Sequence, residues 1–257
     1  MTAVGALKDI DLRVLDSIDS TNDAARRRLA EENPPSPFVI AAREQTKGRG
    51  RSGRAWQTIS GNLAVTFFLP YAGTWQEAAR LGFAVSLGVR DAIVAIAPDQ
   101  QISLKWPNDV LLNNRKVCGI LLENIGQERD GTLKILIGIG INLATHPDPA
   151  EANWTPTSIL AETGTAPDFD AALALVCKSV PARIAAEQTH GFPETRKNWM
   201  ALAARRDAEI RVRLPKETFT GIFNEIDENG ALVLGTPSGI RRVSAGDVFF
   251  PEAGQCS

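Results

Sequence analysis

Cationic side chains are concentrated in one short segment of the chain, between Arg43 and Trp56. The segment holds five cations interspersed with glycines: Arg43, Lys47, Gly48, Arg49, Gly50, Arg51, Gly53 and Arg54. Guanidinium groups donate forked hydrogen bonds to anionic oxygens, and glycines let backbone N–H groups approach an anion without obstruction from Cβ. The aromatic ring of Trp56 is suited to stacking. The segment therefore predicts a site for a phosphate-bearing ligand.

The residues of this segment allow three other interpretations. Its glycine spacing matches a dinucleotide-binding loop, but such a loop opens a helix, whereas the apolar residues 62–69 that follow are typical of a strand. A strand, glycine loop and strand would suit a protein-kinase flap, yet the other kinase motifs do not occur in the sequence. A basic surface loop is the third interpretation, and the segment alone does not decide against it.

A second unusual stretch runs from Lys105 through Pro107 to Asp109, with Trp106 and Asn108 inside it. Lys105 ends a predicted strand, where pockets tend to open, and Asp109 places a carboxylate beside its ammonium group. An ordinary proline turn explains the sequence 107–109 equally well. Lys116, at the start of a later apolar strand, either extends into solvent or faces a ligand carboxylate, and spacing does not separate these alternatives.

Two further segments carry polar or small residues at positions suited to a pocket. Ser20, Thr21 and Asn22 precede a predicted helix, and Ser20 with Asp23 forms a capping-box pattern, so we favour a cap over a ligand contact for Ser20. Gly138 and Gly140 lie on one face of an apolar strand that ends at Asn142. Close approach of a ligand and a crowded sheet are equally good reasons for these glycines.

The bulk composition limits the classes of function. The chain has 257 residues, enough for a large domain and a small one, and its net charge is −2. This charge does not favour broad binding to nucleic acids or anionic membranes. Cys118, Cys177 and Cys256 suggest neither a disulfide framework nor a metal site, but a reducing cytosol. With only His146 and His190, zinc chemistry and Ser-His catalysis lack ligands and bases.

The N-terminal residues 1–10 contain Lys8 and Asp9 where a signal peptide would have its apolar core. No segment approaches the roughly 20 apolar residues of a membrane helix. We expect a soluble, cytoplasmic protein that does not associate with membranes.

The elements that must position these residues alternate along the chain. Helical spacing predicts helices from Ser20 to about Glu32 and from Trp75 to Ile96, with shorter helices after Pro156. Apolar strands lie between them, and Asn113 and Asn114 predict a tight hairpin. After residue 204 the sequence pattern changes to that of several short strands, and this pattern predicts a small β-barrel. We therefore expect two domains, residues 1–204 and 205–257.

Taken together, these motifs resemble those of biotin protein ligases, in the same order and at the same intervals over nearly the whole chain. The motifs are Ser20-Thr21-Asn22, Gln45 with the segment 48–56, residues 105–109, Arg115-Lys116 with Gly119, and Gly138-x-Gly140-Ile-Asn142. The resemblance implies an α+β fold: a class II synthetase-like mixed β-sheet flanked by helices, with an SH3-like β-barrel at the C-terminus. Ser52 stands where the family usually has a second arginine, which puts one phosphate contact in doubt.

The resemblance also implies the reaction and its residues. Biotin and ATP with Mg²⁺ would form biotinyl-5'-AMP, and biotin would pass to a lysine of a biotin carboxyl carrier protein. The catalytic residues implied are Lys105, Arg51, Lys116 and Asp109. The biotin-binding residues implied are Ser20, Thr21, Asn22, Gln45, Arg49, Gly50, Arg51, Lys116, Gly119, Gly138 and Gly140. The ATP-binding residues implied are Arg51, Arg54, Trp56, Lys105, Asn108, Asp109 and Asn142. No metal-binding set of protein side chains is expected, because phosphates would hold most of the Mg²⁺.

Two other functions stay open from the sequence. A lipoate or octanoyl ligase shares the fold and the acyl-adenylate chemistry, and an inert biotin-binding protein would keep the pocket but not the reaction. Family members that repress transcription carry a DNA-binding domain before the Ser-Thr-Asn motif. Only nineteen residues precede Ser20 here, so we do not expect binding to nucleic acid. Pairing through an exposed sheet edge would allow a homodimer.

Overall fold

The computed structural model describes residues 10–32, 36–56, 59–148 and 155–250. The expectations for the N-terminal residues 1–9 and for Cys256 lie outside these ranges.

A seven-stranded mixed sheet forms the larger part of the molecule, with strand order β1-β2-β3-β7-β6-β5-β4. Its strands are β1 (Asp11–Ile18), β2 (Phe38–Gln45), β3 (Leu63–Tyr71), β4 (Ile102–Lys105), β5 (Asp109–Leu112), β6 (Arg115–Gln127) and β7 (Leu133–Ile141). Strands β1 and β2 are parallel, and every other neighbouring pair is antiparallel.

Five helices accompany the sheet in the described part of the chain. They are α1 (Thr21–Glu31), α2 (Trp75–Ile96), α3 (Ile159–Thr163), α4 (Phe169–His190) and α5 (Phe192–Met200). The predicted mixed sheet flanked by helices is confirmed.

Strand alternation separates two apolar layers. Phe38, Ile40, Phe68 and Leu136 pack with Ala25 of α1 on one face of the sheet. The alternate residues of the same strands join α2 and α4 in the main core on the other face. Because α1 covers only part of its face, the sheet beyond it is left to line a pocket.

Local sequence signals explain where the elements begin and turn. Ser20 is the N-cap of α1, as we favoured, and its hydroxyl accepts a hydrogen bond from Asp23 N. A capping box formed by Thr74 and Glu77 starts α2. Asn113 and Asn114 both have positive φ, as the tight β5–β6 hairpin requires.

The C-terminal part is a five-stranded antiparallel sheet of β8 (Glu209–Arg213), β9 (Thr218–Ile226), β10 (Leu232–Thr236), β11 (Gly239–Val243) and β12 (Asp247–Phe249). Its order is β11-β10-β9-β8-β12. The expected small C-terminal β-domain is confirmed, but in the described residues it is an open sheet and not a closed barrel, because β11 and β12 end the sheet without pairing with each other. The chain breaks between Val243 and Asp247, so β11 and β12 lie at opposite edges of this sheet.

The segment just before the predicted domain boundary extends the edge of the large sheet. Leu104 N donates to Leu202 O at 2.8 Å, and Ala204 N donates to Leu104 O at 2.8 Å. The division of the chain at residue 204 stays a prediction. In the described residues, no helix combines the length and apolar character needed to cross a membrane.

Candidate active site

A cavity of about 430 Å³ opens on the sheet face that carries α1. Every site residue that the sequence predicted contributes to its wall, from Ser20 on α1 to Asn142 after β7. The structure therefore brings all of them together, although the ligand that each would bind stays a prediction.

Two lysines and one carboxylate form an ionic cluster in this cavity. Lys105 ends β4, Asp109 begins β5 beside it, and Lys116 lies near the start of the neighbouring β6. Lys105 Nζ lies 2.6 Å from Asp109 Oδ2, and Lys116 Nζ lies 2.6 Å from Asp109 Oδ1. Lys105 and Asp109 are 4% and 5% exposed, so the charges are held out of bulk water. One carboxylate between two ammonium groups leaves the cluster with excess positive charge.

Burial and neighbouring charges shift the pKa values of this cluster. Burial lowers the pKa of Lys105 to about 8, although Asp109 acts in the opposite direction. Burial alone would raise the pKa of Asp109, but Lys105 and Lys116 outweigh it and hold this pKa at about 2. Asp109 is therefore a fixed anion, while Lys105 can lose its proton in mildly alkaline solution.

The residues 48–56, named here the arginine loop, fold back on themselves beside the cluster. Trp56 N donates to Gly48 O at 2.9 Å, and Gly50 N donates to Arg54 O at 2.7 Å. A short 3₁₀ turn, Arg51–Gly53, forms the tip. The glycine-rich segment is thus a small hairpin, and it is not the start of a helix.

Each arginine of the loop lies against a different part of the cavity wall. Arg49 pairs with Asp23 of α1 at 2.6 Å. Arg51 Nη1 lies 3.4 Å from Asn108 Oδ1 and 3.4 Å from Gly246 O, and burial lowers its pKa from the ordinary value. Arg54 forms an ion pair with Asp247 of β12. The loop is therefore attached at once to α1, to the 105–109 turn and to the C-terminal sheet.

The start of α1 presents a polar wall to the cavity. Gln45 Oε1 accepts hydrogen bonds from Thr21 N at 2.8 Å and from Thr21 Oγ1 at 3.0 Å. Because Thr21 donates to the oxygen, the Gln45 amide is fixed in one orientation. Neighbouring hydroxyl and amide groups of this kind can bind a neutral, urea-like group.

Asn22 is held by residues that the sequence did not single out. Asn22 Nδ2 donates to Glu123 Oε2 at 2.6 Å, and the Thr66 hydroxyl donates to Asn22 Oδ1 at 2.6 Å. Glu123 also accepts from Arg26 Nη2 at 2.9 Å. The Asn22 amide is therefore oriented by a carboxylate on β6 and a hydroxyl on β3.

Asn142 is almost fully buried and braces the end of β7. Its Nδ2 donates to Thr157 O at 2.9 Å, and its Oδ1 has no hydrogen-bond partner among the described residues. The expected role in ATP binding stays a prediction.

The strand glycines lie where a side chain would collide with the protein itself. A Cβ added at Gly138 would lie 2.6 Å from Asn22 Oδ1. A Cβ at Gly119 would lie 2.9 Å from Trp56 Cζ3, and one at Gly140 would overlap the same ring. The Trp56 ring therefore covers Gly119 and Gly140.

The C-terminal sheet supplies wall residues that sequence reasoning missed, Asp247 and Val248. Asp247 lies nearly two hundred positions after Arg54, and no local pattern links the two. Glu123 and Thr66 were missed for the same reason, since each is an ordinary strand residue in sequence. Only the register of the sheet brings them to Asn22.

The donor set fits a magnesium ion held mainly by its nucleotide. Both oxygens of Asp109 are taken by lysines, and no group of acidic, histidine or cysteine side chains in the described residues could form a metal cage. Mg²⁺ commonly uses one or two carboxylates together with substrate phosphates, and Asp109 and Asp247 are the carboxylates of the cavity wall that would contribute to holding it.

Two segments of the chain match known protein families. Residues 14–142 match the biotin/lipoate A/B protein ligase family, and residues 208–250 match the biotin protein ligase C terminal domain. The biotin–[acetyl-CoA-carboxylase] ligase of Paracoccus denitrificans is 41% identical over 236 residues, which cover 90% of this chain and 97% of the relative. The bifunctional ligase/repressor BirA of Bacillus subtilis is 32% identical and is covered over 72% of its length.

Solved structures agree with these matches. A biotin protein ligase from Aquifex aeolicus, in complex with biotin and ATP, superimposes with a TM-score of 0.79 and 29% sequence identity, covering 93% of this chain and 97% of the other.

Proposed function

The chain belongs to the biotin/lipoate A/B protein ligase family, and from this premise we propose that it is an ATP-dependent biotin–protein ligase. In the first step, a biotin carboxylate oxygen attacks the α-phosphorus of ATP. The bond to the β-phosphate breaks, pyrophosphate leaves, and biotinyl-5'-AMP forms. In the second step, a lysine amine of a carrier protein attacks the acyl carbon, releases AMP, and loses its proton as the amide forms.

The observation that carries this proposal is the convergence of Arg51, Lys105 and Lys116 on one cavity. A carboxylate approaching a polyphosphate meets a charge of its own sign, so the first step needs fixed cations at the meeting point. Because Lys105 is buried and Arg51 is partly desolvated, their charges act more strongly here than in water. Mg²⁺ carried by the nucleotide would supply further charge neutralisation.

The two walls of the cavity suit the two substrates. The wall of Ser20, Thr21 and Gln45 offers neutral hydrogen-bonding groups for the ureido ring of biotin. The opposite wall, with Asn108 and Asp247, lies beside the loop arginines and suits the nucleotide. Lys116, which lines the cavity and pairs with Asp109, would meet the carboxylate of biotin.

The choice of biotin over lipoate or octanoate rests on the relatives. The Paracoccus relative is named for biotin transfer to acetyl-CoA carboxylase, and the Aquifex structure holds biotin and ATP. For this chain we infer the same pair of substrates and, as acceptor, the biotin carboxyl carrier protein of a carboxylase. Polar groups built to bind a ureido ring would be left unpaired by lipoate, which has no such ring.

Pyrophosphate release tests the proposal directly. The purified protein is incubated with MgATP and one acid at a time: biotin, lipoate or octanoate. We expect release with biotin and at least about a hundredfold less with the other acids, because unpaired buried polar groups are costly. Release with lipoate or octanoate but not biotin would replace the proposal with the alternative ligase. No release with any acid would favour an inert biotin-binding protein.

Three expectations about the location and the partners of the protein stay predictions. They are the cytoplasmic location, the lack of nucleic-acid binding, and the homodimer through a sheet edge.

A further inference from the structure

The floor of the cavity has a bare patch where two neighbouring strands both lack a side chain. Gly119 of β6 and Gly140 of β7 are direct cross-strand partners. Residues paired in this way project from the same face of the sheet as near neighbours, so two glycines at one pair remove a continuous piece of side-chain surface. Two reasons for such glycines were open from the sequence: room for a ligand, or a crowded approach of protein atoms.

The Trp56 ring fills this patch. A Cβ on Gly140 would meet Nε1, Cε2 and Cζ2 of the ring, and a Cβ on Gly119 would meet Cζ3 and Cε3. All three nearest atoms at Gly140 belong to Trp56, so the ring lies directly over the backbone of both strands. Gly48 leaves space for the backbone of the same residue, because a Cβ there would collide with the Trp56 carbonyl oxygen.

We propose that Gly119 and Gly140 form a seat for Trp56, and that this seat positions the arginine loop over the reacting groups. Gly119, Gly140 and Trp56 are then positioning residues for the reaction, and the two glycines are not space reserved for biotin. The proposal deepens the proposed function and rests on it for its kinetic test. It also explains why glycines of two neighbouring strands accompany one tryptophan.

The seat connects the loop to the ionic cluster. Lys116 Nζ lies 5.4 Å from the centroid of a Trp56 ring, within the range of a cation–π contact, and 3.4 Å from the position of a Cβ on Gly119. Arg51, five residues before Trp56, reaches Asn108 in the turn that bears Lys105 and Asp109. A seated Trp56 therefore fixes the distance between the cation of the loop and the cations of the sheet.

The test is a suppression experiment with Gly140→Ala and Trp56→Leu. The added methyl should displace the larger ring and slow adenylate formation about tenfold, as overpacking of a filled site does. In the Trp56→Leu background the same methyl should cost less than about twofold, because the smaller side chain leaves room. Equal losses in the two backgrounds would overturn the proposal, since a methyl that blocks biotin would act regardless of residue 56.

Gly138→Ala is the matched control on the same strand. The nearest atoms to its Cβ belong to Asn22, so its loss of rate should be the same with and without Trp56→Leu. Suppression of Gly138→Ala by Trp56→Leu would also overturn the proposal, because the effect would not be specific to the seat. If Gly140→Ala does not fold, Gly119→Ala replaces it with the same expected pattern.

A measurement without ligands separates the seat from the proposed function. The emission of Trp56 is obtained by subtracting the spectrum of Trp56→Phe, and its quenching by acrylamide is compared with that in Gly140→Ala. We expect quenching to increase about twofold or more when the ring is displaced. Unchanged quenching would contradict the seat, whether or not the protein releases pyrophosphate with biotin and ATP.

Discussion

At the scale of residues, the buried pair of Lys105 and Asp109 makes the reaction sensitive to pH. Burial lowers the pKa of Lys105 to about 8, and the side chain is a cation only below that value. The carboxylate of biotin and the phosphates of ATP are already ionised in that range. Charge at Lys105 is therefore the quantity that changes as the solution becomes mildly alkaline.

We predict that kcat/KM for adenylate formation falls as pH rises through about 8, because Lys105 loses the charge that screens the two anions. Pyrophosphate release measured from about pH 6 to about pH 10 gives the profile. Lys105→Arg keeps its charge throughout and should remove this alkaline limb while lowering the maximum. An unchanged alkaline limb in Lys105→Arg would assign the titration to another group.

The Glu123 carboxylate gives a second prediction at this scale. It orients Asn22 at the polar wall, 2.6 Å from Nδ2, so Glu123→Ala leaves that amide held by the Thr66 hydroxyl alone. We expect KM for biotin to rise about five- to tenfold with kcat little changed, as loss of one charged hydrogen bond predicts. Arg26→Ala removes the half-buried cationic partner of Glu123, keeps the Glu123–Asn22 hydrogen bond, and is the control, with less than about a twofold effect. Similar effects in both variants would contradict the role of Glu123.

Residue identity was the part of the site that the sequence predicted best. The motifs at 20–22, 45–56, 105–109 and 138–142 carry residue types that are unusual together, and each motif contributes residues to the cavity wall. Partners of ordinary type in ordinary strands, such as Glu123 and Thr66, carry no local signal. Strand pairing in the folded sheet brings them to the site, and this pairing cannot be read from a single sequence.

At the scale of elements, the arginine loop depends on a few separate attachments. Arg49 and Arg54 each pair with one carboxylate, and Trp56 lies over the strand glycines. Three glycines make ordering of such a loop costly, and repulsion among its cations opposes closure in the absence of an anion. Bound biotinyl-5'-AMP would neutralise these charges and, once covered, would be protected from water.

Limited proteolysis with trypsin measures this ordering, because every arginine of the loop is a cleavage site. We predict that saturating biotinyl-5'-AMP slows cleavage between Arg49 and Arg54 by at least about tenfold, since cleavage follows the open population. Cleavage elsewhere in the chain serves as the internal control. Equal rates with and without the adenylate would contradict ligand-driven ordering.

Element type was predictable where hydrophobic periodicity was long, as in α2, whose predicted bounds were 75–96 and whose observed bounds are Trp75–Ile96. Strand pairing across a sheet, and therefore the open form of the C-terminal sheet, is decided by contacts distant in sequence.

At the scale of the whole molecule, the C-terminal sheet takes part in the active site. Asp247 accepts from Arg54 and lies 3.5 Å from Arg213 Nη2, and Trp106 Nε1 donates to Gly230 O at 3.0 Å. The turn that carries Lys105 and the tip of the arginine loop therefore both rest on the C-terminal sheet. We therefore expect the small sheet to affect loop closure.

Asp247→Asn tests that effect without changing side-chain size. Loss of the carboxylate should speed tryptic cleavage of the ligand-free loop about threefold, as expected for a partly exposed ion pair. A higher salt concentration should speed cleavage of the loop by the same factor in the unmodified protein and should change the cleavage rate of the variant little. Asp130→Asn, in a distant β-turn, is the control. A cleavage rate that Asp247→Asn leaves unchanged would show that the C-terminal sheet does not hold the loop.

The central claim is that a cationic loop holds the two anionic reactants together, and Arg51→Ala tests it most directly. Isothermal titration measures the affinity of the variant for biotin and for biotinyl-5'-AMP, with Arg43→Ala as a control that lies outside the cavity. We predict less than about a threefold change for biotin and about a hundredfold loss for the adenylate, the size expected for one preorganised charge contact. Equal weakening for both ligands, or none for either, would contradict the account.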